Sequence, residues 1–110
     1  MRTTSLPELV TDQLAKAHAA SSGRAAATIH GGHEHDLRQT VIALADGRSL
    51  GEHESPSEAT LQVLRGRVRL VAGEESWEGA EGDHLVIPPR RHDLTALTDS
   101  AVLLTVATRA

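Results

Sequence analysis

The side chains best suited to chemistry in this sequence are its histidines, which fall in several short groups. His53 precedes a strand-like segment, His92 ends the stretch PPRRH, and the stretch HGGHEH contains His30, His33 and His35. An imidazole changes charge near pH 7 and binds transition metals when neutral, so it serves both acid–base and metal chemistry. The chain has no cysteine, which excludes disulfides, thiolate zinc sites and a cysteine nucleophile.

Covalent catalysis has little support in the sequence. Ser55 lies two residues after His53, so in an extended strand the two side chains share one face. No orienting carboxylate or oxyanion hole can be identified with this pair, and neither a G-x-S-x-G elbow nor a phosphate-binding loop is present. General acid–base chemistry by His53 or His92 is therefore better supported.

The remaining histidines have simpler interpretations beside the chemical ones. His33 and His35 share a side if their segment is extended, and His30 could complete a metal site with them, but the two glycines also indicate an exposed loop. His84 is expected at a half-exposed strand edge rather than as a ligand. His18, near the end of a predicted helix, suits the negative end of the helix dipole.

The amino-acid composition limits the classes of partner that the chain can bind. It has 110 residues, enough for one domain, and a net charge of −4 without a basic stripe, so we expect no nucleic-acid partner. Trp77 is the only aromatic residue, so the core must be aliphatic. The N-terminus lacks the apolar core of a secretory signal and no apolar run is long enough to span a membrane. We therefore expect a cytoplasmic protein with no membrane partner.

Local patterns predict one helix followed by strands. Ser5 and Glu8 form a capping box, with Pro7 in the first turn, and apolar residues follow at helical spacing until Gly23. After that point β-branched residues and leucine alternate with turn residues, which predicts strands over 25–30, 37–44, 59–64, 67–73, 84–88 and 101–108. We expect an N-terminal helical arm over 1–24 and an all-β domain, an antiparallel sandwich or small barrel, over 25–110.

Two motifs in this β region resemble those of the cupin superfamily. Gly47 is followed by five residues and His53, and Ala59 by six residues and Gly66. A second motif runs from Gly82 through five residues to Pro88 and closes on His92. The resemblance covers about residues 37–106 and implies a jelly-roll barrel, that is, an antiparallel double-stranded β-helix.

The resemblance also implies a metal site, and here the chain departs from it. The cupin ligand positions, two histidines and a glutamate in the first motif and a histidine in the second, fall on His53, Ser55, Ala59 and His92. Glu58 lies one residue before the glutamate position, which on a strand puts it on the opposite face. Only His53 and His92 keep a ligand type, so the site is degenerate. It holds a divalent transition metal or lines a metal-free pocket, and no cofactor is certain.

Alternation along the third predicted strand describes the expected pocket. If Ala59 faces inward, so does Leu61, and the pocket has an apolar floor with His53, Ser55 and His92 as its polar groups. That suits a small, mostly apolar ligand. The sequence therefore predicts a small-molecule-binding cupin of unassigned activity. The alternatives are a metal-dependent enzyme of dioxygenase or isomerase type and a non-catalytic regulatory or sensor cupin. Because residues 37–44 and 101–108 are apolar on both faces, we also expect a homodimer.

Overall fold

The structure, a computed structural model, describes residues 1–54 and 58–108. Ser55, a predicted pocket residue, lies outside the described residues. Within the described ranges the chain forms one helix and eight strands: α1 Leu6–Ala19, β1 Arg24–His30, β2 Leu37–Leu44, β3 Glu58–Arg65, β4 Arg67–Ala72, β5 Glu75–Ala80, β6 His84–Val86, β7 Asp93–Ala96 and β8 Ser100–Ala107.

The strands form two antiparallel sheets that face each other. The larger sheet has the order β1-β2-β8-β3-β6, and the smaller has the order β5-β4-β7. Each pairing between neighbours is antiparallel, and β2 pairs with β8 along its full length. This is the predicted all-β jelly-roll architecture with a short N-terminal helix.

The helix begins where the capping box places it and covers the outside of the larger sheet. The Ser5 hydroxyl accepts a hydrogen bond from the Glu8 backbone N–H at 3.4 Å. One apolar side of α1 packs on β1, β2 and β8 through the buried residues Val10, Leu14, Ala17, Val41, Ala43 and Ala101. This packing explains why β2 and β8 read as apolar on both faces. In the described part of the chain no helix has the length and apolarity needed to span a membrane.

The main core fills the space between the two sheets and is aliphatic, as the composition required. Along β3, Ala59, Leu61 and Val63 are buried at 3%, 2% and 0% exposure, and they alternate with Gln62 and Glu58, which are exposed. The inward alternation predicted for this strand is confirmed. Leu44, Val68, Leu70, Ile87, Leu94, Ala96 and Val102 complete the cluster.

Two strands were not predicted from the sequence, because their own segments carry only a weak strand pattern. The β5 segment ESWEGA contains no β-branched residue, and β7 has only four residues. Both pair with β4, whose alternation of buried and exposed residues is regular. The tertiary pairing therefore overrides the local preference.

Candidate functional site

The candidate site is built where the segment 47–53 crosses to the smaller sheet and runs antiparallel to β7. Leu50 donates its backbone N–H to the Leu94 carbonyl at 3.0 Å. One step further, His53 and His92 exchange both backbone hydrogen bonds, at 2.9 and 3.0 Å. Residues paired in this way lie directly opposite each other with their side chains on the same face. The two cupin-like motifs are thus joined at their histidines.

The paired backbone brings the two imidazoles into contact. Their ring centroids are 4.4 Å apart, and the rings meet edge to face at 68°. His92 is only 3% exposed, whereas His53 is exposed to solvent. The pair therefore lies at the boundary between the core and the surface, and one ring is accessible from outside.

Backbone carbonyls orient both rings in the same sense. Nδ1 of His53 lies 2.9 Å from the Gly51 carbonyl, and Nδ1 of His92 lies 2.8 Å from the Arg90 carbonyl. A carbonyl oxygen only accepts, so each Nδ1 carries the proton and donates it. In the neutral rings both Nε2 atoms then carry a lone pair, the form in which an imidazole binds a metal or accepts a hydrogen bond.

An arginine outside the motif positions connects the two segments. Arg91 donates from Nε to Glu52 at 2.7 Å and from Nη1 to Glu54 at 3.2 Å. The hydrogen bonds to Glu52 and Glu54, with their negative charge, raise the pKa of Arg91. Both carboxylates flanking His53 are therefore held by a cation across the strand pair. We call Arg91, Glu52 and Glu54 the arginine clamp.

The sequence contained a signal for the arginine clamp that residue-by-residue reasoning missed. Glu52, Glu54 and Arg91 are each next to a candidate histidine in the sequence. Once His53 is placed opposite His92, the two carboxylates fall opposite the arginine. The complementary charges are apparent only once the register between the two segments that carry His53 and His92 is known.

The other predicted site residues divide between the core and the surface. Ala59 and Leu61 are buried in the main core, and Glu58 is exposed on the other side of β3. Among the residues that the structure describes, no three histidine or carboxylate side chains are grouped so that they could hold a metal ion. Within residues 1–54 and 58–108, the candidate donor set for a metal is therefore the imidazole pair. Catalytic zinc sites usually have three protein ligands.

The histidines at the end of β1 and in the loop that follows it are exposed. The rings of His30 and His35 stack with centroids 4.7 Å apart and planes tilted by 32°, and His33 is exposed beside them. Oε1 of Glu34 lies 3.7 Å from Nε2 of His35. The exposed-loop interpretation agrees with this geometry. His84 is also exposed, on the short strand β6.

His18 has a partner that helix position alone does not predict. Its Nε2 lies 2.9 Å from Oδ2 of Asp99, in the turn before β8. The other oxygen of Asp99 accepts the Asp46 backbone N–H at 2.8 Å. The hydrogen bond from Asp46, followed by the interactions with His18, lowers the pKa of Asp99. This contact joins the end of α1 to the sheet connections and lies apart from the imidazole pair.

Comparison with known proteins shows likeness at the level of structure. No protein-family model and no curated protein matches the chain. A conserved protein of unknown function from Streptococcus pyogenes is 28% identical, with 83% of this chain and 79% of that one covered and a TM-score of 0.72.

Two further solved structures are named as cupins. An RmlC-like cupin from Desulfovibrio desulfuricans is 24% identical, with 98% and 97% of the two chains covered and a TM-score of 0.74. A cupin superfamily protein from Desulfitobacterium hafniense is 15% identical, with 78% of each chain covered and a TM-score of 0.71. These likenesses extend over most of each chain and show a shared fold.

Proposed function

This chain is a small protein with the cupin fold, and from that premise we propose that it binds a small molecule at the His53–His92 pair. The two Nε2 atoms act as hydrogen-bond acceptors for donor groups of the ligand. The apolar residues of the core, Ala59 and Leu61 among them, supply the floor beneath.

The observation that carries this proposal is the common orientation of the two rings. Each Nδ1 donates a hydrogen bond to a backbone carbonyl, so in the neutral rings each Nε2 is an acceptor. Because each of the two contacting rings has an Nε2 atom that accepts a hydrogen bond, the pair favours a ligand with O–H or N–H donors. Ligand sites typically combine an apolar surface with a few placed polar groups, and the two imidazoles would be the polar groups here.

A metal-dependent enzyme of dioxygenase or isomerase type is the second candidate. The same ring orientation favours it, because Nε2 is a nitrogen through which imidazole ligates metals. His53 and His92 would be the ligands, and a bound divalent metal would supply Lewis acidity. Two protein ligands are fewer than such sites usually have, which is why we favour the metal-free binder.

A thermal-shift screen of a small-molecule metabolite library on protein without a histidine tag tests the proposal. The screen is run on the unaltered chain, on His53→Ala and on His84→Ala, a matched control in which another exposed histidine is removed. Compounds that raise the melting temperature of the unaltered chain and of His84→Ala, but not of His53→Ala, support the proposed site. Compounds that act equally on all three chains contradict it.

Metal analysis of the same preparations distinguishes the two candidates. Because the loop histidines can bind metal themselves, the analysis uses a chain in which His33 and His35 are replaced by alanine. Stoichiometric iron, copper, zinc or manganese that disappears in His53→Ala and His92→Ala favours the enzyme. Compounds that bind through His53 without a metal favour the binder. The regulatory role and the homodimer remain predictions, and sedimentation of the purified chain tests the latter.

A further inference from the structure

A cavity of about 230 Å³ opens between the β4–β5 hairpin and the segment that leaves β6. Its walls include the apolar side chains Leu70, Trp77 and Leu85, and its rim carries Glu75 and Arg90. β5 and β6 are the terminal strands of their sheets, and no further strand of the described chain fills the space between them. The cavity is thus the open seam of the sandwich.

The wall of the cavity is formed by inward-facing residues. Leu70 and Trp77 are cross-strand partners on β4 and β5, and Leu85 is paired with the buried Leu61. The indole lies over Gly79, where a Cβ atom would come within 2.1 Å of Cη2 of the ring. Gly79 therefore lets the indole lie flat along β5, so that a broad apolar surface faces the seam.

The rim of the cavity carries the guanidinium of Arg90, which is paired with the exposed carboxylate of Glu75. Arg90 donates from Nη2 to Oε1 of Glu75, and the side chains are 48% and 75% exposed. An ion pair as exposed as this contributes little to stability and opens at small cost. A guanidinium binds a carboxylate through two parallel hydrogen bonds, so a carboxylate from solution can replace Glu75.

We propose that this seam binds a monocarboxylate with a small apolar body, the body lying against Trp77 and Leu85 and the carboxylate on Arg90. The seam is a second site beyond the proposed one, because the described residues that line it include neither His53 nor His92. The Arg90 carbonyl accepts the hydrogen bond from Nδ1 of His92, so one short segment positions both the guanidinium and an imidazole. The volume suits an acid of the size of hexanoate or cyclohexanecarboxylate rather than a nucleotide.

The emission of Trp77 reports on the seam directly, because it is the only aromatic side chain in the chain. Hexanoate and cyclohexanecarboxylate are titrated against the full chain, and their primary amides serve as uncharged analogues of nearly the same shape. The titrations are repeated on Arg90→Gln. Arg67→Gln is the matched control: it removes the same charge from β4, where Arg67 pairs with Glu78 on the exposed face.

We expect the acids to shift Trp77 emission and to bind at least about tenfold more tightly than their amides. Arg90→Gln should abolish that preference, and Arg67→Gln should keep it. Equal binding of acid and amide, or no shift with either acid, would overturn the inference. Neither result bears on the proposed function, which is tested separately by the loss of library compounds in His53→Ala.

Discussion

His53 and His92 exchange both backbone hydrogen bonds, and each ring donates its Nδ1 proton to the carbonyl of the residue two positions earlier in its own segment. The same local arrangement is therefore repeated on both sides of one strand pair. It sets the distance between the rings and, in the neutral state, leaves the lone pair on Nε2 of each.

Replacing Ala59 by glutamate tests whether the chain lost a metal ligand at this position. Ala59 is 3% exposed, so the new carboxylate would be buried without a partner. We expect Ala59→Glu to lower the free energy of unfolding by about 3–5 kcal/mol at pH 7. Zn²⁺ should restore part of this loss, because a ligand that binds the folded state stabilises it. Urea unfolding with and without Zn²⁺ measures both effects.

The neighbouring residue provides the control for that experiment. Glu58 is exposed on the other face of β3, so Glu58→Gln should leave both the stability and its response to Zn²⁺ unchanged. If Ala59→Glu were as stable as the unaltered chain and indifferent to Zn²⁺, the assignment of Ala59 to the ligand position would be wrong.

Removing the arginine clamp should loosen the strand pair that carries the imidazoles. Arg91→Gln breaks both hydrogen bonds that join residue 91 to Glu52 and Glu54. We expect faster hydrogen exchange at the backbone amides of His53 and His92, because local opening of the pair becomes easier. The effect on global stability should be small, since the clamp is exposed.

Hydrogen exchange followed by NMR measures this change residue by residue. Arg69→Gln is a suitable control, because Arg69 also binds a glutamate, Glu78, on the exposed face of the smaller sheet. Exchange at residues 53 and 92 that is identical in Arg91→Gln and in the unaltered chain would show that the clamp does not hold the pair together.

Asp99 should make stability depend on pH in the acid range. Its folded-state pKa lies below the ordinary value because of the hydrogen bond from Asp46 and the contact with His18. The unfolded value is about 3.9, so the stabilisation is fully present above that pH. It is lost as the pH falls through the lower folded-state pKa. Asp99→Asn should therefore be less stable than the unaltered chain at pH 6, and the difference should vanish in strong acid.

Urea unfolding between pH 2 and pH 7 measures this difference. Asp12→Asn, a change at an exposed position on α1, is the control and should follow the unaltered chain throughout. A difference between Asp99→Asn and the unaltered chain that stays constant at all pH values would contradict the lowered pKa.

Replacing Gly66 or Gly73 by alanine distinguishes the cost of an unfavourable backbone conformation from the cost of a steric clash. Gly66 and Gly73 have φ of +82° and +62°, which disfavour any other residue. A Cβ at Gly66 would lie 2.3 Å from the Asp99 carbonyl, whereas at Gly73 it would meet nothing within 4 Å. We expect Gly73→Ala to lower stability by about 1–2 kcal/mol and Gly66→Ala by about 1–3 kcal/mol more.

Thermal and urea unfolding of both variants measure the difference. Equal losses would mean that the turn at Gly66 can move away from Asp99. Such a result would contradict the close approach of the β3–β4 turn to the β7–β8 turn.

Features that depend on neighbours in the chain were predictable from the sequence. The capping box at Ser5 placed the start of α1, and the two-residue period of β3 placed Ala59 and Leu61 inside. The six predicted strands appear, with β2 bounded as expected and β6 ending at Val86 rather than residue 88. The spacing of the two motifs indicated the cupin fold that the solved structures share.

Arg65, Arg67 and Arg69 recur with a period of two, which within one strand would place them on one face. The chain reverses at Gly66, so Arg65 ends β3 and contacts Thr11 of α1. Arg67 and Arg69 lie on β4 and bind Glu78. Side chains two residues apart lie on the same face only when both residues belong to the same strand.

What the sequence determined by itself was local: propensity, alternation, capping and motif spacing depend on residues close together in the chain. The tertiary structure decided the rest. It made strands of β5 and β7 by pairing them with β4, placed His53 opposite His92, joined Arg91 to Glu52 and Glu54, and left the seam beside Trp77 open. Each of these depends on the register between segments far apart in sequence. That register is set by the burial of the common core, because shifting one strand by one residue would turn its apolar side chains to the solvent.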